Sequence, residues 1–460
     1  MTGIVSSCSS FKSIYSPALG PMANELKDSN PMIIIPGVGG SKLIDLQTRK
    51  VAWGAIGFNA YWPSTAIDNK LLALPLQPDV DPRQKQTNRI GATSVLDTIS
   101  FNFPFRIEPI EISIYRTLFN SLVKAGFVPD KINAGDHHRL SPLSKPIFQF
   151  SYDWRKSNAY NAQKLDEYIE TLSQQLSLEV SQQKSIKFDL VCHSMGCLLA
   201  RYYLRYGGQG LGTHQTPPNL DWRGGKKIEN IVMVAPPNKG SLDTLFDLTE
   251  GFYLKFKKFK FLKYPAAVIG TMPSMYELMP RPDIVKATNQ YGETIDLMNP
   301  QLWQTMRWGL LDPKQETILR QIAPEYQSDT SRYKHALSLQ ARLLDDAKLF
   351  HSRLDIKSSP PKDLKFWLFA GVGVLTDSQV TVNTASRTWT KKSTVAGDGA
   401  VIRDSAYAMT NAHSAKEGTI VDWNNATFLY SDHLGLVKSN DFLVNFYYTL
   451  FWRKYLPTRS

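Results

Sequence analysis

The chain has 460 residues, 42% of them hydrophobic and 20% charged, enough for a large core in one elaborated domain or two ordinary ones. Its formal charge of +12 comes with no recognisable nucleic-acid module, so the basic balance argues for an anionic lipid surface and against DNA or RNA. No apolar run reaches the length of a bilayer span, which leaves no predicted transmembrane helix in the sequence.

The segment 1–29 is Ser-rich, lacks the apolar centre of a secretory signal, and is predicted to be poorly structured. Ile4 to Cys8 has the look of a lipoprotein cleavage site without the hydrophobic stretch before it; a lipoprotein or secreted form would require a start upstream. One domain is expected over 30–455. It opens with the apolar run Pro31 to Pro36, a buried strand leading into the glycine loop Gly37-Val38-Gly39-Gly40. Residues 45–112 have mixed polarity and no long periodic element, as an insertion would. Tyr115 to Gly126 has helical spacing, Ile147 to Tyr152 alternates like a strand, and Ala162 to Gln183 reads as a long helix.

Phe188-Asp189-Leu190-Val191-Cys192-His193-Ser194-Met195-Gly196 runs from an apolar strand into a helix. This is the layout of a nucleophile elbow, where a tight turn lifts a serine clear of the sheet. Cys192 stands where glycine is usual. Ile228 to Val234 is a further buried strand, and 243–360 carries helical and basic pieces expected to form a cap or lid. Phe366 to Val374 and Ala426 to Tyr430 complete the strands, and Leu434 to Trp452 closes the chain as an amphipathic helix. Strands alternating with helices predict an α/β fold with a mostly parallel sheet, helices on both faces and two large insertions.

Of the three cysteines, Cys192 and Cys197 are expected as small buried thiols, and no zinc-ligand spacing exists. That favours a reducing compartment, cytoplasmic or peripheral to a membrane.

An acyl-transfer serine enzyme needs a base, an acid and oxyanion donors, and in this fold the order along the chain is serine, acid, histidine. Five histidines follow Ser194. His433 follows the last strand at the carboxyl edge of the sheet, where ligands of open α/β sheets bind. His214, His335 and His351 fall in the cap or its approaches, and His413 in a polar stretch. Asp398 lies between two glycines, where the chain can turn sharply; Asp377 and Asp432 are rivals. The backbone N–H groups of Val38 and Met195 are the expected oxyanion donors.

Assembled, these blocks resemble the lecithin:cholesterol acyltransferase family of α/β-hydrolases. The resemblance is carried by Pro31 to Leu43, by Tyr152-Asp153-Trp154-Arg155, by His193 to Cys197, by Ala235 to Ser241, by Leu368 to Thr376, and by Gly397-Asp398-Gly399 and His433. It implies Ser194 as nucleophile, Asp398 as acid and His433 as base, with Val38 and Met195 at the oxyanion. It also implies Gly37, Asp153, Trp154 and Arg155 as structural or pocket-shaping residues. The disulfide cysteines of secreted family members have no counterpart here.

The implied substrate is a phospholipid or neutral lipid ester, with no metal or organic cofactor. The acyl acceptor is left open between water and an alcohol. A soluble carboxylesterase or thioesterase on small esters, and a non-catalytic lipid-binding relative, are the alternative readings. Within 252–264, Phe252, Phe256, Phe259 and Leu262 fall at helical spacing among Lys257, Lys258 and Lys260. Such a segment can lie on an anionic membrane surface or pack its aromatics into a cap.

Overall fold

The computed structural model describes residues 29–57, 59–77, 89–101, 110–129, 145–179, 186–256, 259–410 and 418–452. The segment 1–28, His413, Lys257 and Lys258 lie outside them.

A seven-stranded sheet forms the centre: β1 (Met32–Ile35), β2 (Val128–Pro129), β3 (Pro146–Gln149), β4 (Phe188–His193), β5 (Ile228–Val234), β6 (Lys365–Gly371) and β7 (Asn425–Leu429), in the order β7-β6-β5-β4-β1-β3-β2. Every pairing in it is parallel. Each residue of β1 and β4 is buried, as in a sheet covered on both faces. This explains why these strands read as unbroken apolar runs. Helix α1 (Asn158–Glu179) packs against α2 (Met195–Tyr206), and all of α2 is buried. This is the α/β-hydrolase architecture.

The segment after β1 is built from short strands, not long elements. Ser41–Asp45 pairs with Val51–Trp53 and with Ile90–Val95, and a helix spans Ala66–Leu72. The segment after β5 is largely helical, ending in the long helix Asp329–Asp355.

Three expectations are corrected. Residues 252–264 form an antiparallel hairpin, Phe252–Phe256 with Phe259–Tyr264, in place of a helix. Aromatic and apolar residues there alternate as well as they repeat helically, and the aromatic content favours the pleated strand. The register sets Phe252 opposite Tyr264, Leu254 opposite Leu262 and Phe256 opposite Phe259. Second, the strand expected over 366–374 ends at Gly371, and a hairpin follows, Val374–Asn383 with Thr388–Gly397. Most of the second strand is exposed and polar, so it carries no hydrophobic alternation to read. Third, the closing helix begins later, at Asn440, where Ser439 caps it by accepting from the Phe442 N–H.

Candidate active site

Ser194 sits between the end of β4 and the start of α2, with φ 52° and ψ −129°. A serine rarely adopts positive φ, and such a strained turn persists only where its surroundings dictate it. They do. The Ser194 N–H donates to the Val234 carbonyl at 2.9 Å, tying the turn to β5. On the opposite side, a Cβ on Gly196 would stand 2.3 Å from the Pro36 carbonyl oxygen. Helix α2 can therefore approach β1 only because that residue is glycine.

Cys192 and Cys197 flank the turn, their Cα atoms 5.0 Å apart, and are joined as a disulfide. The expectation of two free thiols is corrected, and the argument it gave for a reducing compartment goes with it. Spacing along the sequence suggested neighbours one helical turn apart; in fact one residue closes a strand and the other opens a helix, and the elbow folds them face to face.

The structure brings Ser194, His433 and Asp398 into one hydrogen-bonded line. His433 Nε2 lies 2.9 Å from Ser194 Oγ, and His433 Nδ1 lies 2.7 Å from Asp398 Oδ2. The other oxygen of Asp398 accepts from the N–H groups of Ala400 and Val401, at 3.0 and 2.7 Å. The His433 N–H donates to the Asp398 carbonyl at 2.9 Å. Asp398 is buried, which alone would raise its pKa, but the neighbouring imidazole and the two N–H donors hold it below the usual carboxylate range. Burial works against a charged His433, yet the Asp398 carboxylate outweighs it and raises the pKa above the ordinary histidine value.

The rival residues are engaged elsewhere. Asp377 pairs with Lys391, and Asp432 accepts from the Gly435 N–H at 2.6 Å. His351 is buried against the Glu277 carbonyl, and His335 stacks on Tyr326.

Among the described residues, no protein acceptor meets the N–H of Val38 or of Met195. Gly37 differs: its N–H donates to Tyr115 Oη at 2.9 Å. Its carbonyl accepts from Gly40 at 3.0 Å. Tyr115 and His193 are the residues that sequence reasoning missed. The signal for His193 was its place directly before the serine; Tyr115 showed only as the start of a helix.

Asp153, Trp154 and Arg155 fasten the first insertion. Arg155 makes two parallel hydrogen bonds to Asp153, 2.8 and 2.7 Å, and donates to the carbonyls of Leu71 and Leu72 at the end of the helix Ala66–Leu72. Tyr152 donates to the Pro36 carbonyl at 2.8 Å. The Trp154 ring meets Trp53 edge-on with centroids 5.0 Å apart, and Trp53 in turn packs on Phe252 and Tyr264 of the basic hairpin.

A buried parallel sheet, a serine on a strained strand-to-helix turn, and a histidine and aspartate on late loops define an α/β-hydrolase. A sequence profile of the lecithin:cholesterol acyltransferase family matches residues 77–358, and the chain belongs to that family. This places it among lipid acyltransferases and lipid hydrolases. Ser194 falls inside the matched span, whereas Asp398 and His433 fall beyond it. A similar solved structure is the Tle4–Tli4 complex, with a TM-score of 0.54 at 14% identity, covering 92% of this chain and 98% of the other. Another is lipase 1 from Pelosinus fermentans, with a TM-score of 0.33 at 12% identity, covering 94% and 99%. No match was found among curated proteins.

Proposed function

We propose that the protein transfers acyl groups from a phospholipid or neutral lipid ester through an acyl-Ser194 intermediate. The observation that carries this reading is the line Ser194 Oγ to His433 Nε2 to Asp398, at 2.9 and 2.7 Å. In the first half-reaction His433 Nε2 takes the Ser194 proton as Oγ attacks the ester carbonyl carbon. The N–H groups of Val38 and Met195 receive the oxyanion. The tetrahedral adduct collapses, the C–O bond to the leaving alcohol breaks, and His433 returns the proton to that alcohol. In the second half, His433 deprotonates water or an acceptor alcohol, which attacks the acyl-serine; the bond to Ser194 Oγ breaks, His433 returns the proton to Oγ, and a fatty acid or a new ester is released. Asp398 keeps the imidazole in the tautomer that presents Nε2 to the serine, and it stabilises the transient imidazolium.

Two features support a lipid substrate. Exposed apolar side chains flank His433 in the chain, Tyr430 and Leu434 at 89% and 41% exposure, and Leu375, at 73%, lies on the hairpin that leads into Asp398. The strands Phe252–Phe256 and Phe259–Tyr264 form a separate two-stranded sheet in a segment rich in lysine and phenylalanine, and we assign Phe256, Lys257, Lys258, Phe259 and Lys260 of that segment to contact with an anionic membrane. Each lysine near such a surface contributes about 1 kcal/mol.

Labelled phospholipid vesicles, incubated with and without an alcohol acceptor, test the proposal. Free fatty acid alone identifies a hydrolase and a new ester a transferase. Equal rates on monomeric and aggregated ester would favour a small-ester esterase, and undiminished turnover by Ser194→Ala would end the serine mechanism.

A further inference from the structure

One buried hydrogen-bonded path joins the glycine loop to the histidine loop without passing through Ser194. The Gly37 N–H donates to Tyr115 Oη at 2.9 Å, Tyr115 Oη lies 2.9 Å from His193 Nδ1, and His193 Nε2 lies 3.2 Å from the His433 carbonyl oxygen. Tyr115 and His193 are almost wholly buried.

With His193 neutral, only one arrangement of protons satisfies every link. The His433 carbonyl can only accept, so His193 Nε2 carries a hydrogen. Tyr115 Oη already accepts from Gly37, so its one proton is available for His193. A neutral His193 has no second hydrogen, and its Nδ1 therefore accepts from Tyr115. Neutrality agrees with the surroundings: burial and the adjacent His433 push the His193 pKa down to about 3.

We infer that Tyr115 and His193 are positioning residues that lock the oxyanion loop and the base loop into one rigid unit. This rests on the reading of Ser194, His433 and Asp398 as a catalytic triad. At one end, both polar groups of Gly37 are tied, the N–H to Tyr115 and the carbonyl to Gly40. The Val38 N–H belongs to the same trans peptide as the Gly37 carbonyl and points the opposite way, out of the turn. Anchoring Gly37 therefore aims the Val38 N–H. At the other end, the His433 carbonyl is held by His193 and its N–H by Asp398, so the backbone beneath the base cannot rotate. A loop fixed on both sides is pre-organised for the oxyanion and for proton transfer, and needs no rearrangement during the reaction.

The experiment has a spectroscopic arm and a kinetic arm. Nitrogen-15 histidine spectra of the full-length wild-type protein should show His193 as the neutral Nε2–H tautomer, without titration as pH is varied through neutrality. An Nδ1–H tautomer, or protonation near pH 6, would overturn the inference whether or not any variant folds. In the kinetic arm, Tyr115→Phe should lower kcat by about 10-fold, less than the roughly 10²–10³-fold for losing an oxyanion donor itself. KM should stay unchanged, and a boronic acid that forms a tetrahedral adduct with Ser194 should bind more weakly by the same factor. His193→Gln, whose amide can still donate to His433, should retain more activity than His193→Leu. An inactive Ser194→Ala beside a Tyr115→Phe variant with wild-type kcat and boronate affinity sinks this inference alone. An active Ser194→Ala sinks the triad reading beneath it.

Discussion

The indole nitrogen of Trp53 donates to the Gly39 carbonyl at 2.6 Å. The same ring touches Phe252 and Tyr264, the paired residues at the base of the basic hairpin. A segment we assign to the membrane is thus in contact, through one side chain, with the loop to which we assign an oxyanion donor. Trp53→Phe keeps most of the apolar contact and removes the hydrogen bond, a change of about 1 kcal/mol. The variant should lose more activity on anionic vesicles than on a monomeric soluble ester. Equal losses on both substrates would mean that hairpin and loop act independently.

The pH dependence follows from the base. In the proposed mechanism His433 must be neutral to accept the serine proton, and Asp398 raises its pKa above the ordinary value against the opposing effect of burial. Activity should therefore fall on acidification, with the descending limb above the pH of an ordinary histidine. Asp398→Asn removes the charge that raises the pKa. The limb should move to lower pH while kcat drops by about 10⁴-fold, as when an aspartate that fixes the tautomer is neutralised. The stability linkage has opposite signs for the two partners. The raised histidine contributes stability that is lost as pH rises through its folded value, and the lowered Asp398 contributes stability that is lost in acid.

Gly196→Ala should be among the least tolerated single changes in the chain. The added methyl would meet the Pro36 carbonyl at 2.3 Å and the Ile35 carbonyl at 2.8 Å, both backbone atoms at the carboxyl end of β1. Overpacking of a core typically costs about 1–3 kcal/mol, and backbone obstacles give less room for relief than side chains do. Urea unfolding should show at least that loss, together with loss of Ser194 labelling by an active-site phosphonate.

The Cys192–Cys197 disulfide closes a very short loop, and both residues are fully buried. Loop-closure entropy for so short a loop gives roughly 2 kcal/mol. Dithiothreitol added to the folded protein should leave Ser194 labelling unchanged, because the bond is shielded. Reductant present during urea unfolding should lower the midpoint. Loss of labelling under native conditions, with the fold intact by circular dichroism, would show that the bond is accessible.

The sheet was legible because β1, β4 and β5 are buried on both faces and so appear as apolar runs between turn signals. Ser194, Asp398 and His433 could be nominated because chain order and loop position constrain such residues more tightly than their local sequence does. The elements misread are those where two patterns compete. Residues 252–264 satisfy both a helical and an alternating pattern, and the exposed strand Thr388–Gly397 satisfies neither. The pairings of Tyr115 with His193 and of Arg155 with the carbonyls of Leu71 and Leu72 join residues far apart in the chain. No periodicity records such contacts, since they exist only once the layers have packed.

The late position of β7 and His433 bears on how the protein is made. A ribosome completes the serine and its elbow while the strand that carries the base loop is still unwritten, and β7 docks at the edge of the sheet, against β6, at the opposite end from β2. Until it does, the hydroxyl of the nascent chain is an ordinary alcohol with nothing to take its proton. In the proposed mechanism the chain therefore gains activity only once its last strand is in place.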